Sequence, residues 1–292
     1  MDNSSKGIIL FAYNSGFDYV SIANVSAMLA KHYTGLPVTL ITDVFGALMA
    51  NLDYIDNIID CDAPGNNERI FRGTHDETTK KMNWKNLNRA AVYELSPYDK
   101  TLLIDVDYLM FNATMASIFE TDIEFSCHNT AFDLSFKQSF DVDQRLNEHG
   151  IPMLWATVIY FKKCERAKAI FEMMDEIKVN YSYYAKAYGF KEKPFRNDFA
   201  LSIAHHAISG YDADQSYFFP FKLMSLPPTA PVIKFNTAAQ LVGNPTFIGE
   251  LVYEYRDNGT LYRSSSQSNN IHIMNKDSFT ETLCKDIADY YE

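Results

Sequence analysis

Two carboxylates one residue apart, Asp105 and Asp107, close the most apolar strand-like run of this chain, in the stretch KTLLIDVDYLMFN at residues 100–112. A carboxylate at the end of a buried segment is costly unless something pairs with it. Residues two apart on a strand share a side, so the spacing predicts that both side chains converge while Val106 turns into the core. Two hard oxygen donors suit Mg²⁺ or Mn²⁺, which takes its remaining ligands from water and from substrate phosphates. Such an ion neutralises charge that develops on a departing diphosphate. The plainer alternative for so short a motif is a capping Asp105 and a solvated Asp107.

Other polar residues stand where they could join this pair. Asn14 and Asp43 end two further strand-like runs, GIILFAY at 7–13 and LPVTLITD at 36–43. Asp43 has turn capping as its alternative. Lys85 and Arg89, four apart in NWKNLNRAAVYEL at 83–95, share a face if that segment is one amphipathic helix. They would then reach a phosphate, or lie in solvent. Asn197 or Asp198 would cap a helix over NDFALSIAHHAIS at 197–209, in which His205 and His206 read as structural.

The elements needed to position these groups alternate along the first half. A strand at 7–13, a helix at 17–33, strands at 36–43 and 56–62 and the 101–105 strand lack period-2 alternation, which implies a mostly parallel, doubly covered sheet. Ligands of such sheets sit outside the carboxyl ends of the strands. The polar, mixed-sign segment 64–82 reads as a long loop. In the second half a strand is expected at 153–163, helices at 164–180 and 197–209, a hairpin about Asp257-Asn258-Gly259, and a short strand carrying His272. No repeat or linker divides the 292 residues. The expectation is one domain over 1–292, with a nucleotide-binding half at 1–112 and an acceptor-side half at 113–292.

Bulk composition narrows the classes. Hydrophobic residues make up 47% and charged residues 22%, the balance of a globular protein. A formal net charge of −11 argues against an extended nucleic-acid footprint. Four cysteines without CxxC spacing indicate neither zinc nor a disulfide framework. No window reaches the roughly 20 apolar residues of a membrane span, and no leader-like pattern opens the sequence, so a cytoplasmic protein with reduced thiols is expected.

The block MNWKNLNRAAVYELSPYDKTLLIDVDYLMFNATMASIFE at 82–120 resembles the centre of GT-A glycosyltransferases of the glycogenin and galactosyltransferase kind, family eight. LPVTLITD, LWATVIYFKKCERAKAIFEMM, FRNDFALSIAHHAI and IHIMNK follow in that family's order. The resemblance implies an α/β GT-A (Rossmann-like) fold with a mostly parallel central sheet flanked by helices and a C-terminal acceptor-side subdomain. It implies Mn²⁺ or Mg²⁺ on Asp105, Asp107 and His272. A UDP-sugar donor would lie near Ala12, Tyr13, Asn14, Tyr19 and Asp43 at its base, and near Lys85, Arg89, Val106 and Lys276 elsewhere, with Lys85 favoured over Arg89. Tyr19 has a core aromatic as its alternative. Asp198, with Asn197, would act at the reacting side of the sugar, near an unknown glycan, protein or nucleobase acceptor, and anomeric configuration would be retained. Two departures stand out: Trp155-Ala156-Thr157 replaces the family's Asn-Ser/Ala-Gly, and the late motif lacks its Gly, with its Lys four residues past the His instead of about six. The rival functions are a nucleotidyltransferase acting on a sugar phosphate and a non-catalytic nucleotide-sugar-binding protein. YNSGFDYV, with one Gly and no basic residue, disfavours the former.

Overall fold

The computed structural model describes residues 5–62, 67–72, 79–84, 89–135, 145–147, 150–189, 194–210, 218–236, 239–241, 244–246 and 249–291. Its strands are β1 (Lys6–Phe11), β2 (Val38–Thr42), β3 (Asn57–Asp60), β4 (Asn67–Arg72), β5 (Thr79–Trp84), β6 (Lys100–Ile104), β7 (Tyr108–Leu109), β8 (Phe125–His128), β9 (Ala131–Asp133), β10 (Trp155–Lys162), β11 (Leu223–Leu226), β12 (Val232–Asn236), β13 (Ala239–Leu241), β14 (Asn244–Thr246), β15 (Glu250–Asp257), β16 (Thr260–Ser265) and β17 (Ile271–Ile273). The α-helices are α1 (Tyr19–Thr34), α2 (Val44–Met49), α3 (Val92–Leu95), α4 (Glu165–Val179), α5 (Tyr181–Ala187), α6 (Asn197–Ile208) and α7 (Glu281–Tyr291).

The principal sheet runs β3-β2-β1-β6-β10-β8. Its first four strands are mutually parallel, and β10 lies antiparallel to both β6 and β8. β1, β2 and β6 are almost wholly buried, as expected of strands covered on both faces. Helix α1 covers one side with Val20, Ile22, Ala23, Ala27 and Ala30 buried, starts on an Asp18 cap that accepts from Ser21 N–H at 3.0 Å, and ends at Gly35 in the left-handed region. Helices α4 and α6 pack on one another, with Ala167, Ile170, Phe171, Met174 and Ile177 of α4 buried.

A second sheet, β7-β17-β11-β9, joins the residues just after β6 to the far end of the chain. Three antiparallel strands, β12-β15-β16, complete that side, and the β15–β16 hairpin turns on Asn258 and Gly259, both at positive φ. The buried residues of this region include Leu109, Phe111, Leu226, Leu251, Ile271, Ile273, Leu283 and Ile287.

Three sequence expectations are corrected. Residues 67–72 and 79–84, read as loop as far as 82, form an antiparallel pair: backbone pairing needs no apolar run, so polarity alone misjudged it. The single helix expected over 83–95 is absent. Trp84 ends β5, Arg89–Ala91 form a 3-10 turn, and among the described residues of the segment only Val92–Leu95 are α-helical. Helix α6 is capped by Arg196, not by Asn197 or Asp198, and that cap makes no side-chain hydrogen bond. No helix among the described residues is long and apolar enough to cross a membrane, and all four cysteines are free.

Candidate functional site

The carboxyl ends of β1, β2, β3 and β6 lie along one edge because those strands are parallel. Ala12 to Asn14, Asp43, Cys61 with Asp62, and Asp105 with Asp107 follow those four strands in turn. Strand polarity therefore gathers these groups at one edge, the edge at which sheets of this kind bind their ligands.

Asp105 and Asp107 do converge, but by a different device from the one expected. β6 stops at Ile104, and residues 105–108 form a turn closed by Tyr108 N–H donating to Asp105 O at 2.9 Å. Neighbouring strands pin the turn. Asp105 N–H donates to Thr157 O of β10 at 2.8 Å, and Ile273 N–H of β17 donates to Asp107 O at 2.8 Å. Val106 is buried in the main core, as its position predicted.

Because β17 is stitched to this turn, His272 stands opposite Tyr108 and its Nε2 lies 3.3 Å from Asp107 Oδ2. Its Nδ1 lies 3.5 Å from Ser225 Oγ, on the neighbouring β11. A proton on Nδ1 shared with Ser225 would leave the Nε2 lone pair facing the carboxylates, the tautomer a metal ligand needs. One donor atom from each of Asp105, Asp107 and His272 lies within 4.8 Å of the others. Bonds of about 2.1 Å in an octahedron set donor atoms about 3.0 Å apart at adjacent positions and about 4.2 Å apart at opposite ones. Two carboxylates and an imidazole at this separation fit Mn²⁺ or Mg²⁺ after a small contraction.

Both acids also carry cationic partners from the protein. Arg89 is almost fully buried and pairs with Asp105 through one terminal nitrogen, while the other donates to Thr157 O at 3.2 Å. It is therefore not solvated. It lies behind Asp105 and bridges that acid to β10. Lys276, on the 3-10 turn Lys276–Ser278, pairs with Asp107 and donates to Ile273 O at 3.0 Å. Lys85 lies outside the described residues.

The remaining expected groups have partners of their own. Tyr19 is close enough for the Asp105 charge to act on it. Burial first, then that charge, push its phenol up to about 12, so it stays a neutral donor. Burial also raises the Tyr13 hydroxyl far above its usual range, with Cys61, Asp43 and Asp62 adding to the effect. Asp43 is the N-cap of α2, accepting from Gly46 N–H at 2.8 Å. Asn14 accepts from Val20 N–H at 3.1 Å and donates to Asp18 at 3.1 Å, which fixes the entry to α1. Ala12 is buried, with its N–H on Ile41 O and its carbonyl on the Thr42 hydroxyl. Asp198 accepts from Ala156 N–H at 2.9 Å and pairs with Arg196 at 2.6 Å, one residue along β10 from the Thr157 carbonyl that holds Asp105 and Arg89. Asn197 is buried beside it. Sequence reasoning missed Ser225 and Thr157, whose roles come from strand pairing across long separations.

No protein-family model and no curated protein matches the chain. It is similar to solved structures of glycosyltransferases. The galactosyltransferase LgtC, solved with donor and acceptor sugar analogs, is 14% identical over 68% of this chain and 70% of its own, at a TM-score of 0.45. Mouse xyloside xylosyltransferase 1 is 10% identical over 74% of this chain and 85% of its own, at 0.43. GlyE of Streptococcus pneumoniae TIGR4 is 12% identical over 74% of this chain but 45% of its own, at 0.40. Similarity at these levels leaves the functional reading to rest on the site.

Proposed function

We propose that this chain is a metal-dependent glycosyltransferase of the GT-A kind, moving a sugar from a nucleoside-diphosphate sugar, a UDP-sugar, to an acceptor. The observation that carries the reading is the convergence of Asp105, Asp107 and His272 at the carboxyl edge of a mostly parallel sheet. Mn²⁺ or Mg²⁺ held by these three would neutralise the diphosphate leaving group. The chain's own groups do the rest. Tyr13, Asn14, Tyr19 and Asp43 stand on the side of the base, where ring stacking and carboxylate acceptance from a base N–H are available. Arg89 holds Asp105 in place, and Lys276 is the cation nearest Asp107 that could meet a phosphate oxygen. Asp198, steadied by Arg196 and the Ala156 amide, belongs to the sugar's reacting side, and the acceptor, a glycan, protein or nucleobase, enters from residues beyond 113 with retention of configuration.

A thermal-shift panel of nucleoside diphosphates and triphosphates, with and without Mn²⁺, tests this. The expected result is Mn²⁺-dependent stabilisation by UDP that is lost in Asp107→Ala, together with slow metal-dependent hydrolysis of a UDP-sugar. Equal stabilisation by every nucleoside triphosphate would favour a nucleotidyltransferase. UDP-sugar binding without turnover under any metal would favour a non-catalytic binding protein.

A further inference from the structure

We infer that α2 and the turn after it form a docking surface for a partner protein, one that offers a helix with an apolar stripe flanked by lysine or arginine. The inference goes beyond the glycosyltransferase reading and does not depend on it. It rests on an amphipathic pattern turned outward and on the sign of the charge around it.

The stretch VFGALMANL at 44–52 holds no charged residue. Phe45, Leu48, Met49 and Leu52 recur at the spacing of one helical stripe, and in a helix of a globular protein that stripe ordinarily faces the core. Here it faces solvent. Phe45 is 79% exposed, Leu48 82%, Leu52 71% and Met49 46%, with Val44 beside them at 55%. The face that α2 turns inward is nearly without side chain: Gly46 is its buried residue, and a Cβ there would collide with the Thr42 hydroxyl at the end of β2. The helix is held in place all the same. Asp43 caps it, Asn24 Nδ2 donates to Met49 O at 3.1 Å, and Asn51 N–H donates to Asn24 Oδ1 at 2.9 Å. Backbone contacts and a glycine approach thus seat the element and leave its apolar stripe outside the core.

A surface without charge that carries Phe, Met and Leu has the composition of an interface core, which a charged rim encloses. The rim here is of one sign. Asp43 and Asp53 bracket the stretch, Asp60 ends β3, which packs beside α2, and Asp62 follows; Asp53, Asp60 and Asp62 are exposed. No lysine or arginine occurs between Lys31 and Arg69, and Lys31 itself is paired with Asp56 at 2.8 Å. That sign selects the occupant. A second copy docked through the same face by a two-fold axis would bring aspartate against aspartate. A bilayer would set the aspartates against headgroup phosphates, whereas segments that lie on membranes carry lysine and arginine there. A helix with its own apolar stripe and basic flanks meets both demands, apolar contact at the centre and opposite charge at the rim. A stable interface covers about 800 Å² on each partner, and the exposed side chains of Val44, Phe45, Leu48, Met49 and Leu52 supply the centre of such an area.

The test uses the full chain and a fluorescently labelled synthetic helix of leucine and lysine, its leucines at helical spacing, followed by anisotropy. The native chain is expected to bind it, to bind the matching leucine–glutamate helix at least about 10-fold more weakly, and to lose affinity as salt rises from about 0.05 to 0.3 M. Phe45→Ser with Leu48→Ser, which keeps every charge, should weaken binding about 10-fold or more, and Asp53→Asn with Asp60→Asn about 3-fold or more. Both pairs lie in solvent, so their urea unfolding midpoints should stay at the native value. The inference is overturned if the native chain does not distinguish the two helices, a measurement that needs no variant. It is overturned equally if the serine pair binds the basic helix as tightly as the native chain, since charge alone would then be the attraction. A native dimer in sedimentation that the serine pair dissociates would overturn it in favour of a second copy. Flotation of the native chain, but not of the serine pair, with phosphatidylcholine and phosphatidylserine vesicles would overturn it in favour of a bilayer.

Discussion

Arg89 shows how much a single buried cation settles at the residue scale. It gives one arm to Asp105 and the other to the Thr157 carbonyl, whose oxygen also accepts from Asp105 N–H. The acid is thus held through backbone and side chain by one strand and one guanidinium. Breaking a buried pair by removing one partner costs about 3–5 kcal/mol, and the partial exposure of Asp105 lowers that figure. Arg89→Met is therefore expected to lose about 2–3 kcal/mol of stability in urea unfolding, and Arg89→Met with Asp105→Asn to lose less than the two single changes summed. Arg89→Lys should rescue little, because a point charge cannot hold both acceptors at once. Additive single changes would show that the pair contributes nothing.

At the scale of elements, the centre is a product of strand ends, and that explains which parts were legible. The buried runs at 7–13, 36–43 and 101–105 announced parallel strands, and Asp43 and Asp105 followed them as the rule for strand ends requires. The hairpin at Asn258-Gly259 was legible for a similar reason, since few residues accept its positive φ values. The turn at 105–108 was not: its shape comes from Thr157 and Ile273, which lie 52 and 168 residues from Asp105 in the sequence numbering. Nor was the strand that ends at Trp84, because the apolar spacing of Trp84, Leu87, Ala91 and Leu95 in the sequence has the period of a helical stripe, while Trp84 itself is paired in β5. Asp43 caps α2, and experiment can separate that duty from the one proposed for it at the base. As the cap of α2 its loss in Asp43→Ala should cost about 1 kcal/mol, and Asp43→Ser should recover most of that. If the carboxylate also accepts from the base, both variants should bind UDP more weakly by a similar factor, measured calorimetrically with Mn²⁺. Native UDP affinity in Asp43→Ser would confine the residue to capping.

Over the whole molecule, two buried histidines tie the stability of the fold to pH. His128 ends β8 beneath Phe219 and Phe221, with Nδ1–H donating to Phe221 O at 3.0 Å. His205 lies in α6 against Phe125 and Phe218. Burial lowers both rings to about 4, with the charges of Arg166 and His206 adding to the effect at His205. In the unfolded chain each titrates near 6.5. Between those values the unfolded state binds protons that the folded state refuses, so stability falls as pH falls. The contribution of neutral burial is complete above about pH 6.5 and is lost progressively as pH drops towards 4. Each histidine adds a slope of about 1.4 kcal/mol per pH unit inside that window. Carboxylates add little above pH 5, because their unfolded values lie near 4. Urea unfolding at pH 7.5, 6.0 and 5.0 is expected to show a steepening loss, to which His206, also lowered by burial, adds, so that about two protons or more are taken up on unfolding. In His128→Gln, which keeps an N–H for Phe221 O, that uptake should fall by about one proton. A stability that stays level from pH 7.5 to 5.0, or an uptake unchanged in His128→Gln, would mean that the ring accepts its proton in the folded state and that the aromatic wall around it admits water.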